Sequence, residues 1–220
     1  MIQAHSFVNE LQQKYPAPQG NKPQFDEKDI QVFEKELGAE LPSDFYEFLR
    51  VYGHGSFSDY FYIWNPFAEN GRETFIIQNN QAKKNYEYLE EQWNKWDIAM
   101  RVDCRFSDDG IVVLNGDIKQ VEFLRTECID GHTRSKILAL GNHFPYAFFP
   151  EKNGLINFGR TDDDDFFMRI QDKKISIVMY SDDYYEFDMS VTEFMYEYLT
   201  KTIKLPMMND ETEWTFISCD

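Results

Sequence analysis

The feature that most constrains the fold is a series of short apolar or alternating segments in the second half of the chain. Residue pairs such as Asp130-Gly131 and Asn153-Gly154 separate them, and such pairs favour the tight turns that join antiparallel strands. The pattern predicts an antiparallel sheet built from hairpins. The predicted strands lie at residues 111–114, 121–125, 137–140, 146–149, 155–158, 166–170 and 175–180, with two earlier candidates at 60–64 and 74–77.

Helical patterns lie on both sides of these strands. Residues 2–15 carry apolar side chains at helical spacing, and a longer helix is predicted from residue 79 or 80 to about 96. Asp26 is a predicted N-cap and Gly38 a predicted helix end, and Pro42 begins the next helix. A last helix, to residue 203, begins at Ser190, which forms a capping box with Glu193.

The order of helices, then mostly strands, then a helix predicts an α+β fold. We expect a single twisted, mainly antiparallel β-sheet with N-terminal helices and a C-terminal helix packed against it. Because no linker divides the chain, residues 1–220 are predicted to form one domain. Its core is expected at about 24–204, followed by a loose acidic C-terminal tail at 205–220.

The formal net charge of −17 limits the classes of partner. Nucleic acids and anionic membranes would be repelled, whereas a basic protein would be attracted. The N-terminus lacks the pattern of a secretory signal, and no apolar run is long enough to span a bilayer. Three widely spaced cysteines are typical of reduced thiols, so a cytoplasmic location is expected. The sequence does not indicate an oligomeric state.

Residues 30–55, IQVFEKELGAELPSDFYEFLRVYGHG, resemble the N-terminal signature of the SMI1/KNR4 (SUKH) superfamily. The closing helix from Ser190 resembles the C-terminal element of the same family. Two features depart from the family pattern: Tyr52-Gly53-His54-Gly55 replaces the usual Asn-Gly, and a helical insertion lies around residues 80–96. The signature positions are Phe33, Glu34, Leu37, Gly38, Leu41, Pro42, Asp44, Phe45, Phe48, Leu49 and Gly53.

The resemblance implies a protein-binding platform rather than an enzyme, with no catalytic residues, cofactor or metal to transfer. Bacterial family members commonly neutralise polymorphic toxins, often nucleases, so the resemblance implies an immunity protein that binds a cognate toxin domain. Fungal relatives imply the alternative, a regulatory or scaffold module with endogenous partners. The net negative charge favours a partner with a basic surface.

Two acidic segments are the candidate contact surface for such a partner. Residues 161–190 hold nine acidic and three basic side chains, which concentrates part of the charge excess there. Solvated turns and a polar loop before the last helix are the alternative interpretation, and the spacing does not match a calcium-binding loop. The candidate residues are Asp162, Asp163, Asp164, Asp165, Asp182, Asp183, Tyr184, Tyr185 and Glu186.

Two further groups leave alternatives open. Tyr60, Tyr62 and Trp64 alternate as one face of a strand should, which fits either an exposed aromatic platform or core packing. His132 and His143 lie among acidic residues, which leaves a hydrolase with carboxylate chemistry as a third hypothesis.

Overall fold

The structure is a computed structural model that describes residues 1–18, 24–99, 122–129, 132–139, 146–180, 184–203 and 213–218. For residues 89–99, 122–129, 132–139 and 184 it describes the backbone alone. The chain forms two compact units. The first comprises Met1–Lys83, Tyr146–Ile203 and Asp210–Asp220, and the second comprises Lys84–Pro145 and Lys204–Asn209. That residues 1–220 form one domain stays a prediction.

Five helices occur in the described part of the chain, and their local signals explain where they begin and end. Asp26 and Ser190 both form capping boxes, in which the cap side chain and the third helical residue exchange hydrogen bonds. Gly38 ends its helix in the left-handed conformation with φ 72°, as predicted. The helices are α1 (Val8–Lys14), α2 (Glu27–Leu37), α3 (Ser43–Tyr52), α4 (Gly71–Ala99) and α5 (Val191–Leu199).

The first unit contains a seven-stranded sheet in which every neighbouring pair is antiparallel. Its strands are β1 (Gly55–Phe57), β2 (Phe61–Ile63), β5 (Ile156–Arg160), β6 (Asp165–Gln171), β7 (Lys174–Tyr180), β8 (Tyr184–Phe187) and β9 (Phe216–Ser218), in the order β8-β7-β6-β5-β2-β1-β9. The second unit holds a two-stranded hairpin of β3 (Glu122–Ile129) and β4 (His132–Ala139). The predicted α+β class is confirmed.

Several local predictions differ from the structure, among them the helix predicted at residues 2–15, which begins only at Val8. Residues 74–77, predicted as a strand, lie in α4, where Phe75 and Asn79 face the interior one helical turn apart. Residues 146–149 contribute one isolated bridge, from Phe148 to Leu155. The expected loose tail contains β9, because Phe216 packs against core aromatics and its strand pairs with β1. Residues 184–187, for which a polar loop was the alternative interpretation, form β8. The predicted strand at 111–114 lies outside the described residues.

One face of the sheet is covered by helices and filled with aromatic rings. Phe166 of β6 lies 5.5 Å from Phe194 and 5.3 Å from Tyr198 of α5, measured between ring centroids. Phe57 of β1 and Phe48 of α3 are fully buried and 6.4 Å apart. Aromatic pairs in this range add to the free energy gained by burying apolar area. This face therefore forms the hydrophobic core of the first unit.

Two carboxylates of the signature run hold the helices together. Glu34 Oε1 accepts hydrogen bonds from the backbone N–H of Leu41 at 2.9 Å and from the Tyr46 hydroxyl at 3.2 Å. Asp44 Oδ2 accepts from the backbone N–H of Thr192 at 2.7 Å and from its hydroxyl at 2.9 Å. Since Thr192 is in the first turn of α5, Asp44 satisfies a helix N–H that has no partner inside that helix. These signature residues therefore define architecture.

Candidate protein-binding surface

Residues 161–164 form the turn between β5 and β6, called here the acidic turn. The Thr161 N–H donates to the Asp164 carbonyl oxygen at 2.8 Å, and the Thr161 hydroxyl oxygen accepts from the Asp164 N–H at 2.9 Å. Asp162 and Asp163 are exposed at its tip. Within the described residues neither of these two carboxylates has a hydrogen-bond or ion-pair partner. Two negative charges are therefore held by a structured turn and presented to solvent.

The other two aspartates of this run are engaged by neighbouring side chains, and Asp165 stays partly exposed. Asp164 is 7% exposed, and its Oδ2 accepts from the Thr161 hydroxyl at 3.3 Å. Asp165 Oδ1 accepts from Asn157 Nδ2 at 3.0 Å. Burial raises the pKa of Asp165 above its usual value, against the opposing effects of Asn157 and the Arg160 charge. The four predicted contact residues therefore divide into two whose carboxylates project into solvent and two whose carboxylates bond within the protein.

Aromatic side chains flank the acidic turn. Tyr60 precedes β2, and its ring centroid lies 6.0 Å from that of Trp214. Burial raises the pKa of Tyr60, and the charges of Asp164, Asp163 and Asp162 raise it further. Both rings are partly exposed. The turn thus combines rigid aromatic area with negative charge, a combination that can match Lys or Arg side chains.

The second predicted segment is described in part. Asp182 and Asp183 lie outside the described residues, and the side chain of Tyr184 is not described. Tyr185 is partly exposed and lies opposite Met179, on the helix-covered face.

Glu186 lies on the opposite face and is held by three donors. It accepts hydrogen bonds from Arg169 at 2.8 Å, from Ser176 at 2.7 Å and from the Tyr146 hydroxyl. Partial burial raises the pKa of Glu186, but these hydrogen bonds outweigh it and hold the pKa below its usual value. Glu186, Arg169 and Ser176 line a cleft of about 390 Å³ together with residues where β6 ends and β7 begins. Because Arg169 neutralises Glu186 locally, this carboxylate contributes less to an acidic surface than the two at the turn.

The face of the sheet opposite α1, α3 and α5 carries one continuous row of side-chain positions, called here the cross-sheet row. Each position is directly opposite its neighbours on the adjacent strands, so all lie on the same face. The row crosses all seven strands next to the acidic turn: Ile217, Ser56, Tyr62, Arg160, Asp165, Tyr180 and Tyr184.

Exposure varies along the cross-sheet row. Arg160 is exposed and Ile217 is 40% exposed, whereas Tyr62 and Tyr180 are partly exposed. The Tyr62 hydroxyl donates to the Asp59 carbonyl oxygen at 2.8 Å, which fixes its ring. Such a row offers a partner fixed aromatic area together with one cation.

The structure shows separately for Tyr60, Tyr62 and Trp64 whether the side chain is exposed or packed in the core. Trp64 is 8% exposed and its indole N–H donates to Asn157 Oδ1, so it belongs to the interior. Tyr60 and Tyr62 are both partly exposed, and Tyr62 belongs to the cross-sheet row. His132 lies in β4 with its side chain undescribed, and His143 lies outside the described residues.

Sequence reasoning missed Arg160 and Tyr180 as surface residues. A signal existed, because a short turn between two strands makes the flanking residues direct neighbours across the hairpin. Applied to residues 161–164, that rule places Arg160 opposite Asp165. The position of Tyr62 beside Arg160 had no such signal, since β2 and β5 are far apart in the chain.

Comparison with protein families decides the classification. The SMI1 / KNR4 family (SUKH-1) matches residues 24–197, which include the signature run, most of the sheet and most of α5. The chain belongs to the SMI1/KNR4 (SUKH-1) family. SUKH domains are generally immunity or binding modules rather than enzymes. Comparisons with curated proteins and with solved structures give no significant match.

Two further findings concern metal sites and membrane-spanning helices in the described residues. Within them, no group of three or more His, Cys, Asp or Glu side chains is arranged to hold a metal ion. None of the helices in that part of the chain combines the length and the apolar character needed to cross a bilayer.

Proposed function

We propose that this SUKH-1 protein is an immunity protein that binds a toxin domain through the acidic turn and blocks the toxin's active site. The observation that carries the proposal is the exposure of Asp162 and Asp163 at the tip of a turn whose backbone is fixed by Thr161. Membership of the SUKH-1 family supports a toxin-binding role in kind. The expected partner carries a basic surface, as a nuclease domain does where it contacts phosphates.

The electrostatics of the chain support this choice of partner. With a net charge of −17, the protein attracts a basic domain over a distance of about one Debye length. Charges at the rim of an interface act mainly on the rate of association. A turn that presents two carboxylates beside Tyr60 and Trp214 adds short-range contacts to that attraction.

The proposal predicts that the reading frame next to this gene encodes a toxin domain, and the test uses that domain, inactivated by mutation so that it can be purified. Binding is measured by surface plasmon resonance at several salt concentrations. The double variant Asp162→Lys/Asp163→Lys should lower the association rate constant about tenfold or more at low salt, and less at high salt.

A matched control is the double variant Glu10→Lys/Glu47→Lys, which changes the net charge equally at exposed positions of α1 and α3. It should weaken binding much less, because the reversed charges are outside the proposed contact. Equal effects of the two double variants would show that total charge, not the acidic turn, determines binding. Absence of binding by the wild-type protein would refute the proposal itself.

A further inference from the structure

Arg160 is unusual among the arginines whose side chains the structure describes. Arg50, Arg72 and Arg169 each form an ion pair, with Glu27, Glu36 and Glu186 respectively. Arg160 forms none with any described residue, although it is exposed in a chain with 39 acidic and 22 basic side chains. The nearest acidic neighbour across the hairpin, Asp165, accepts a hydrogen bond from Asn157 instead.

The surroundings of Arg160 hold its guanidinium in place. The group lies over the Trp64 ring, 5.7 Å from the ring centroid, which is a cation–π arrangement. Trp64 is itself fixed by the hydrogen bond from its indole N–H to Asn157. The guanidinium N–H donors of Arg160 form no hydrogen bond with any described residue, so they remain available for a carboxylate.

The neighbours of Arg160 in the cross-sheet row have the composition of an interface centre. Tyr62 lies directly opposite on β2, and Tyr180 lies one strand beyond Asp165. Tyr, Trp and Arg are the residues most enriched among those that dominate binding energy at protein interfaces. The row is continuous with the acidic turn, since Arg160 and Asp165 are the last paired residues before that turn.

We infer that the part of the cross-sheet row from Tyr62 to Tyr180 is a second contact surface for the same partner, and that Arg160 binds a carboxylate of that partner. This inference rests on the proposed function. It adds that the toxin face is not uniformly basic: an Asp or Glu side chain lies beside its basic patch. Arg160 donates two parallel hydrogen bonds to this carboxylate, with Tyr62 and Tyr180 packing against the adjoining surface.

The combination of the acidic turn and Arg160 would fix how the partner is aligned on this surface. An acidic turn alone would attract any basic protein, including non-cognate ones. A single cation beside it repels partners that carry a base at the matching position, which is how like charges exclude wrong partners. Arg160 is therefore expected to determine which toxin is recognised, while Asp162 and Asp163 determine how fast it is captured.

The experiment measures dissociation constants for the inactivated toxin domain from the adjacent reading frame by isothermal titration calorimetry. Arg160→Glu should weaken binding about 30-fold or more, the loss typical of a residue at the centre of an interface. Lys28→Glu, an equal charge change at an exposed position of α2, should alter binding less than about threefold. Unchanged circular dichroism and melting temperature of Arg160→Glu would show that its fold is intact.

A second arm identifies the carboxylate. Each Asp and Glu on the toxin surface is replaced in turn by Lys, and the binding of each toxin variant to the Arg160→Glu protein is measured. One reversal should restore at least about tenfold of the lost affinity while weakening binding to the wild-type protein, as expected for a direct charge pair. Absence of any restoring reversal would contradict the charge pair.

The outcomes separate the two proposals. Normal binding by Arg160→Glu, together with weakened binding by Asp162→Lys/Asp163→Lys, overturns the inference about Arg160 and leaves the proposed function intact. Absence of binding by the wild-type protein overturns both.

Discussion

Replacing Asp44 by alanine removes the acceptor of two hydrogen bonds that connect α3 to α5. The Thr192 N–H and hydroxyl would both lose their acceptor in a region where Asp44 and Thr192 are fully buried. Each unsatisfied buried donor costs about 1–3 kcal/mol, and removing a buried carboxylate offsets part of this, so we expect a loss of about 3 kcal/mol. For a chain of this size the melting temperature should fall by about 6–12 °C.

Urea denaturation followed by far-UV circular dichroism measures the change in the free energy of unfolding. The control is Asp162→Ala, which removes an exposed carboxylate and should change that free energy by less than about 0.5 kcal/mol. A loss below about 1 kcal/mol for Asp44→Ala would refute the idea that this signature carboxylate holds the helices together.

The pH dependence gives an independent check on Asp44. Burial raises its pKa above the usual value, more than the hydrogen bonds from Thr192 lower it. The folded state therefore binds the Asp44 carboxyl proton more tightly than the unfolded state does. Protonation of Asp44 stabilises the fold, and this stabilisation is complete below the unfolded pKa of 3.8. It is lost as the pH rises through the folded pKa. Asp44→Asn cannot titrate, so its stability relative to wild type should improve between pH 4 and pH 7.

Two further changes test how the sheet is completed. Gly55→Ala places a Cβ 2.1 Å from the Ile217 carbonyl oxygen, so β9 must shift, and amide hydrogen exchange at residues 213–218 should lose its protection while β7 keeps its own. Preserved protection in β9 would contradict the close approach. Asn79→Ala removes two hydrogen bonds to the backbone N–H and C=O of Asn157, at 2.7 and 3.0 Å, and should cost about 2–4 kcal/mol in urea denaturation. The exposed neighbour Asn80→Ala should cost almost nothing, and equal losses at both positions would show that these bonds are unimportant.

The helices with strong local signals were predictable, because their ends depend on nearby residues. Asp26, Gly38 and Ser190 act within four residues of themselves, so the sequence pattern is sufficient. β9 was missed because its pairing with β1 joins segments about 160 residues apart, and no local pattern reports such a contact. Residues 74–77 were assigned to a strand because a three-residue apolar run fits both the helical and the strand periodicity. Packing against the rest of the protein decides between the two.

The candidate surface was predictable in composition but not in geometry. The concentration of acidic residues near 162–165 is visible in the sequence, yet which carboxylates face solvent depends on the hydrogen bonds of Thr161 and Asn157. The cross-sheet row depends on register between strands that are distant in the chain, so only the pair Arg160–Asp165 follows from local sequence.

Inhibition of the toxin tests the central claim most directly. Activity of the active toxin domain is titrated with the wild-type protein and with Asp162→Lys/Asp163→Lys at low salt. The account predicts that activity disappears at one equivalent of the wild-type protein and that the variant requires a large excess. Full toxin activity in the presence of excess wild-type protein would contradict the claim that this SUKH-1 protein confers immunity by binding.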